Sequence, residues 1–221
     1  MVQIAEAGEM MQAERRLLML VAALCLTGLF MVGLAGDHVE GMMLTVWRDA
    51  TDPALYRLPR WLLIYVEDLT AMGGLPVTLS VALLAAILLR LLDRPVDAAL
   101  MLVSAGGGLL LGMGLKLAFV RPRPDLVPHA VEVLTSSFPS SHATMSTVTY
   151  LSLALIVADR VSRPAVKTYV LALGCGLPLA IGISRVVLGV HWPSDVLGGW
   201  AFGTAWVLLC RSVAFRFQPA H

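Results

Sequence analysis

The residues of this chain best equipped for chemistry fall in three short clusters. Lys116, Arg121, Arg123 and Pro124 form the first; Phe138, Pro139, Ser140, Ser141 and His142 the second; Ser184, Arg185, His191 and Asp195 the third. Their cations (Lys116, Arg123 and Arg185, with Arg121 as a fourth candidate) suit an anion that carries several oxygens. Guanidinium forks pair with phosphate oxygens, and an ammonium adds a compact point charge. Ser140 offers a hydroxyl. His142 opens a predicted helix, where unpaired backbone N–H groups and the helix dipole favour negative charge. Together these groups read as a phosphate cradle.

The two imidazoles then need roles. Asp195 follows His191 by four residues. With Pro193 opening a helix, the carboxylate lies near enough to take the Nδ1–H of His191. That bond fixes the tautomer and leaves Nε2 free to attack, the logic of a nucleophile held by an orienting group. His142, across the cradle, is placed to protonate a leaving alkoxide or phosphate. The cations would stabilise charge spread over the equatorial oxygens. The scheme needs no metal and no other cofactor: the fixed cations do the charge work, and no second carboxylate stands near either histidine to make a metal site. Singly, each element has an ordinary explanation. A helix-end lysine anchors at the membrane surface, an intramembrane histidine packs between helices, and Pro-Ser-Ser is a common N-cap. The ordered set argues for function.

The elements that must position these clusters are apolar. The chain is 58% hydrophobic and 14% charged, with mean hydropathy +0.81, against roughly 45–50% and 25% for a soluble domain. Six stretches approach the ~20 residues that cross about 30 Å of hydrocarbon: 17–35, 75–92, 96–119, 143–158, 165–183 and 196–214. The expected fold is therefore all-α, a six-transmembrane-helix bundle in which residues 1–221 form a single domain. Segment 36–74 mixes Trp47, Tyr56, Trp61 and Tyr65 with Arg48, Arg57, Arg60, Glu67 and Asp68. That mixture predicts short interfacial helices between the first and second membrane helices. The first stretch exceeds the roughly 7–15 apolar residues of a signal peptide and reads as a retained helix. Cys25, Cys175 and Cys210 each lie in an apolar run with no C-x-x-C pair, which argues against a disulfide framework or zinc site. A net charge of +1 points to no nucleic-acid partner. Nothing in the sequence sets an oligomeric state.

Topology follows from Lys and Arg in the flanks. With the N-terminus inside, one side holds Arg15, Arg16, Arg90, Arg94, Arg160, Arg163, Lys167, Arg211 and Arg216. The other holds Arg48, Arg57, Arg60, Lys116, Arg121, Arg123 and Arg185. Setting aside the four cations of the clusters leaves nine against three. Both termini are then cytoplasmic, and all three clusters face the opposite side, which in a bacterial plasma membrane would be the periplasmic or extracellular face.

The spacing Lys116-x6-Arg123-Pro124, then Pro139-Ser140-Ser141-His142, then Ser184-Arg185-x5-His191-x3-Asp195 resembles the three-part signature of the type 2 phosphatidic acid phosphatase superfamily. That superfamily also includes vanadium haloperoxidases and bacterial acid phosphatases. The resemblance implies that Lys116, Arg123 and Arg185 hold the phosphate, helped by Ser140 and the backbone N–H of Ser141. It makes His142 the general acid, His191 the residue that forms a phosphohistidine, and Asp195 its orienter. In one departure, Ser141 stands where the family's second motif usually has glycine, which keeps the N–H and adds a side chain. Arg121 lies outside the pattern, open between a second phosphate contact and a headgroup or surface role. The implied function is an integral membrane hydrolase acting on a lipid phosphate or diphosphate, such as phosphatidic acid, phosphatidylglycerol phosphate or undecaprenyl diphosphate. Its partners would be that substrate and the surrounding lipids. Two rivals remain: a phosphotransferase that passes the phosphate to a second lipid, and an anion or lipid transporter that uses the cations without hydrolysis. The transporter gives no reason for His142 or for the His191–Asp195 pair.

Overall fold

The computed structural model describes residues 38–52, 54–126 and 135–217. Regular structure among them is helical, apart from one isolated antiparallel bridge between Arg48 and Tyr56. Residues 38–45 are helical. They are followed by α1 (Arg60–Ala71), α2 (Leu75–Leu91) and α3 (Pro95–Ala118). Next come α4 (Ser141–Ala158), α5 (Pro164–Val187) and α6 (Pro193–Ala214), which ends in a 3₁₀ turn, Phe215–Phe217. Pro95, Pro164 and Pro193 each occupy the first position of a helix, where the missing N–H had no intrahelical partner to lose. A π-helical turn, Thr147–Leu151, interrupts α4.

Helices α3, α4, α5 and α6 with its 3₁₀ extension are each long and apolar enough to cross a membrane. Helices α1 and α2, bent by 52° where they meet, would together supply a fifth span. The expected helix at 17–35 lies outside the described residues. The other five expected stretches coincide with α2 to α6. Helices α5 and α6 run further than their apolar stretches because Ser184–Val187 and Pro193–Asp195 are helical too. Hydropathy could not count those polar turns. In the segment expected to hold interfacial helices stands α1, none of whose residues is buried.

Small side chains let these helices approach closely, as they do wherever lipid gives no hydrophobic drive between helices. Ala82 and Ala86 of α2 pack with Ala98, Met101 and Ala105 of α3, Ile156 of α4 and Cys210 of α6. Gly199 does the same nearer the clusters: a Cβ there would lie 2.8 Å from Ala143 Cβ and 2.9 Å from Ser140 O. Only glycine lets α6 sit this close to the start of α4. The result is that the C-terminal ends of α3 and α5 and the N-terminal ends of α4 and α6 share one end of the bundle. All three clusters lie there.

Candidate active site

His191 sits in the turn between α5 and α6, 2% exposed. Gly189 enables that turn: its φ of 75° is left-handed, a conformation glycine adopts without strain. The backbone N–H of Val190 then donates to Arg185 O at 3.2 Å, holding His191 against the end of α5. Asp195, the third residue of α6, turns its Oδ2 back to accept from Trp192 N at 2.9 Å. This puts Oδ2 3.4 Å from His191 Nδ1. The opposite ring nitrogen, Nε2, lies 3.2 Å from Arg123 Nη1. A guanidinium can only donate and a carboxylate can only accept. The pair therefore favours a proton on Nδ1 and a lone pair on Nε2. Burial pushes the His191 pKa down to about 4; the charges of Arg123 and Arg185 add to the effect, while Asp195 opposes it. The imidazole is neutral near pH 7.

The second cluster is tied to the third through the backbone, Ser140 N donating to Asp195 O at 2.9 Å. Ser140 is the N-cap of α4, and its buried Oγ accepts from Ala143 N at 3.5 Å. That bond leaves the hydroxyl proton for another acceptor. Ser141 and His142 are the first two residues of α4, with N–H groups at a helix N-terminus. His142 packs on the junction of α1 and α2: a Cβ on Gly73 would lie 3.3 Å from His142 Cδ2. Lys116, Arg123, Arg185 and His191 are all within electrostatic reach of its ring.

The cations are held by neutral oxygens. Lys116 Nζ donates to Ser136 O at 2.6 Å. Arg123 donates to Val190 O at 2.8 Å and to Thr135 O at 3.1 Å. Arg185 Nη1 donates to Thr70 Oγ1 at 3.0 Å, while its buried Nε has no partner among the described residues. A buried donor without a partner is rare in folded chains and is satisfied when an anion arrives. Burial lowers the pKa of Arg123, with Asp195 opposing. So the structure gathers Lys116, Arg123, Ser140, Ser141, His142, Arg185, His191 and Asp195 at one place. Arg121 is there too, but its guanidinium donates to Asp195 Oδ1 at 2.9 Å, Ser194 Oγ at 2.6 Å and Glu40 Oε2 at 2.6 Å.

Sequence reasoning overlooked Ser137, Thr70 and Glu40. Ser137 Oγ donates to Asp195 Oδ2. Its place beside the Pro139-Ser140 motif was a usable signal. Thr70 and Glu40 lie 115 and 81 residues from the arginines they meet, and no local pattern links such positions.

The described groups can bind a tetrahedral anion between three cations, present a neutral imidazole nitrogen to it, and offer a second imidazole on the far side. Comparison with known proteins finds phosphatases among the similar chains. Phosphatidylglycerophosphatase B of Bacillus subtilis is 29% identical over 177 residues, 79% of this chain and 85% of that protein. Lipid A 1-phosphatase of Rhizobium johnstonii is 33% identical over 117 residues, 49% of this chain and 43% of that one. The crystal structure of a transmembrane PAP2-type phosphatidylglycerolphosphate phosphatase from Bacillus subtilis superposes with a TM-score of 0.74 at 25% identity, covering 91% of this chain and 98% of that one. With its apolar helices and these membrane relatives, the chain is an integral membrane protein. The model of the PAP2 superfamily matches residues 97–219, a span that takes in all three clusters and more than half of the sequence, and the chain belongs to that superfamily.

Proposed function

We propose that the protein is a lipid phosphatase in which His191 Nε2 attacks phosphorus and becomes a phosphohistidine. The P–O bond to the lipid breaks, and the departing oxygen takes a proton from His142. Water then attacks the phosphohistidine, giving its proton to His142, and the P–N bond breaks to return His191 and release inorganic phosphate. Lys116, Arg123 and Arg185 hold the phosphoryl oxygens, with the Ser140 hydroxyl and the Ser141 N–H. Asp195 keeps the Nδ1–H of His191 in place. The observation that carries this reading is the setting of His191: a donor-only guanidinium at Nε2, a carboxylate toward Nδ1, and burial that keeps the ring neutral.

The relatives' names support a substrate whose phosphate sits on a lipid headgroup. The apolar bundle agrees, since a lipid can keep its tail in the bilayer while its headgroup reaches the end of the helices. Phosphatidylglycerol phosphate leads the panel of substrates because the relative matched over 85% of its length is a phosphatidylglycerophosphatase. Phosphatidic acid and undecaprenyl diphosphate follow. The Lys and Arg distribution supports a site on the non-cytoplasmic face with both termini inside. The test is phosphate release by detergent-solubilised protein across that panel. Free phosphate from at least one lipid is expected, together with a ³²P-labelled, acid-labile protein intermediate. Transfer of label only to a second lipid would make the enzyme a phosphotransferase, and no turnover of any lipid phosphate would end the reading.

A further inference from the structure

Behind His191, on the side away from the cations that face Nε2, lies a chain of charges that the phosphatase reading does not use. Glu40, on the helix at 38–45, is 7% exposed. Its Oε2 accepts from Arg121 Nη2 at 2.6 Å, and its Oε1 accepts from Ser194 N at 2.8 Å. Arg121 Nη1 reaches on to Ser194 Oγ and to Asp195 Oδ1, at 2.6 and 2.9 Å. The guanidinium also lies 5.4 Å from the centroid of the Trp192 ring. Both terminal nitrogens of Arg121 are thus committed. Glu40, Arg121 and Asp195 together carry one net negative charge at the Nδ1 side of His191, opposite three cations.

We propose that Glu40 and Arg121 are positioning residues for the nucleophile: Arg121 locks one oxygen of Asp195 so that the other faces His191 Nδ1, and Glu40 locks Arg121. This rests on the reading of His191 as nucleophile. Asp195 has strong reasons to turn elsewhere, because Lys116 and Arg123 both act on it electrostatically. Holding Oδ1 on Arg121 leaves Oδ2 for Trp192 N, Ser137 Oγ and the imidazole. Glu40 adds a second constraint. By taking the N–H of Ser194 it fixes the first turn of α6, the turn that carries Asp195, and a carboxylate there is favoured by the helix dipole. Glu40 lies outside the span matched by the superfamily model, so this part of the site comes from the N-terminal region of the chain.

The experiment compares Arg121→Gln, Arg121→Lys, Glu40→Gln and the Glu40→Gln/Arg121→Gln double variant with His191→Ala, in the full-length protein. The assay is phosphate release from whichever lipid phosphate the intact protein turns over. Arg121→Gln should lower kcat by about 10–100-fold, the scale of a small misplacement of a reacting group. KM should stay within about threefold, because the phosphate-holding cations are untouched. Arg121→Lys keeps the charge without the fork and should recover part of kcat. The double variant should be no slower than Arg121→Gln, since Glu40→Gln keeps an oxygen to accept the Ser194 N–H and the other constraint acts through Arg121.

A pH profile separates positioning from mere clamping. The groups facing His191 are Asp195 from α6, Ser137 before α4, His142 from α4, Arg185 from α5 and Arg123. Removing the Arg121 charge leaves Asp195 more negative toward the ring, so the acid limb of kcat/KM should move to higher pH. Removing the Glu40 charge should move it to lower pH. An intact kcat in Arg121→Gln, with or without a lower melting temperature, overturns the inference. A raised KM at constant kcat overturns it in another way, making Arg121 a phosphate contact. Full activity in His191→Ala overturns the nucleophile reading and this inference with it, whereas a dead His191→Ala beside a normal Arg121→Gln removes the positioning role alone.

Discussion

The two ends of the helix bundle hold charge in opposite ways. At the end away from the clusters, Asp97 is buried and accepts from Arg160 at 2.7 Å, with Arg94 at 3.9 Å. There too, both terminal nitrogens of Arg211 grip Asp159, at 2.7 and 3.0 Å. Each of these three arginines meets a carboxylate. At the other end Arg121 is paired with Glu40 and Asp195, but Lys116, Arg123 and Arg185 rest on backbone carbonyls and a threonine hydroxyl. Their mutual repulsion is a standing cost of the fold. Paired charge holds helices together; cations that rest on neutral oxygens are ready for an anion that is not part of the chain. Local rules broken without a structural return mark the place where function is bought with stability.

The largest effect that tests this contrast is His191→Ala. It should lower kcat by at least about 10⁴-fold, the scale of losing one member of a nucleophile–base unit. Loss of the phosphorylated intermediate should accompany it. Activity within tenfold of the parent would show that the cationic end is a binding site without this chemistry. Next comes Lys116→Ala, which should lower kcat/KM by roughly 10²–10³-fold, as for one removed oxyanion donor. Its thermal midpoint in detergent should hold or rise, because a half-buried cation leaves a crowd of like charge. A clear fall in the midpoint would place Lys116 with the structural charges of the opposite end.

How much of this could be read in the sequence depends on range. Lys116, Arg123, His142, Arg185, His191 and Asp195 were legible because helix ends bring short motifs to one place whenever the helices alternate in direction. The apolar runs gave α2 to α6 to within a few residues. Ser184 to Val187 were missed as helix, since the site's polar residues dilute the hydropathy on which the boundary was judged; the first turn of α6 was legible from Pro193, not from hydropathy. The charge count saw Arg121 only as a cation. Its commitment to Glu40 and Asp195 depends on a contact 81 residues away, and nothing in the spacing of residues 38–45 announces it. Thr70, which holds Arg185, is hidden for the same reason.

At the paired end, Asp97→Asn should act on stability and hardly on rate. Removing one partner of a buried ion pair leaves the other charge uncompensated, at up to about 3 kcal/mol. The cost is at the lower end because Arg160 is 34% exposed and water can reach it. Denaturant or thermal unfolding in detergent would read the loss, and kcat should stay within about twofold, as for sites with no shared partners. A tenfold fall in kcat at unchanged stability would mean that this end is coupled to the chemistry after all.

The smallest effect changes nothing at neutral pH and needs no substitution. His191 must be unprotonated to attack, and its pKa is pushed down to about 4 by burial, with Arg123 and Arg185 adding and Asp195 opposing. As pH falls, the nucleophile is therefore lost only on passing through about 4, not through the ordinary value near 6.5. A phosphomonoester also gains a proton near pH 6, so its ionisation must be divided out of kcat/KM first. In the corrected profile the limb along which the nucleophile is lost should be centred near pH 4, whatever slope protonation of the general acid His142 adds above it. An acid limb centred near 6.5 would mean that His191 does not feel the burial and neighbouring cations of its end of the bundle. The contrast between the two ends would then describe how the charges are arranged without describing what the arrangement does to the reacting atom.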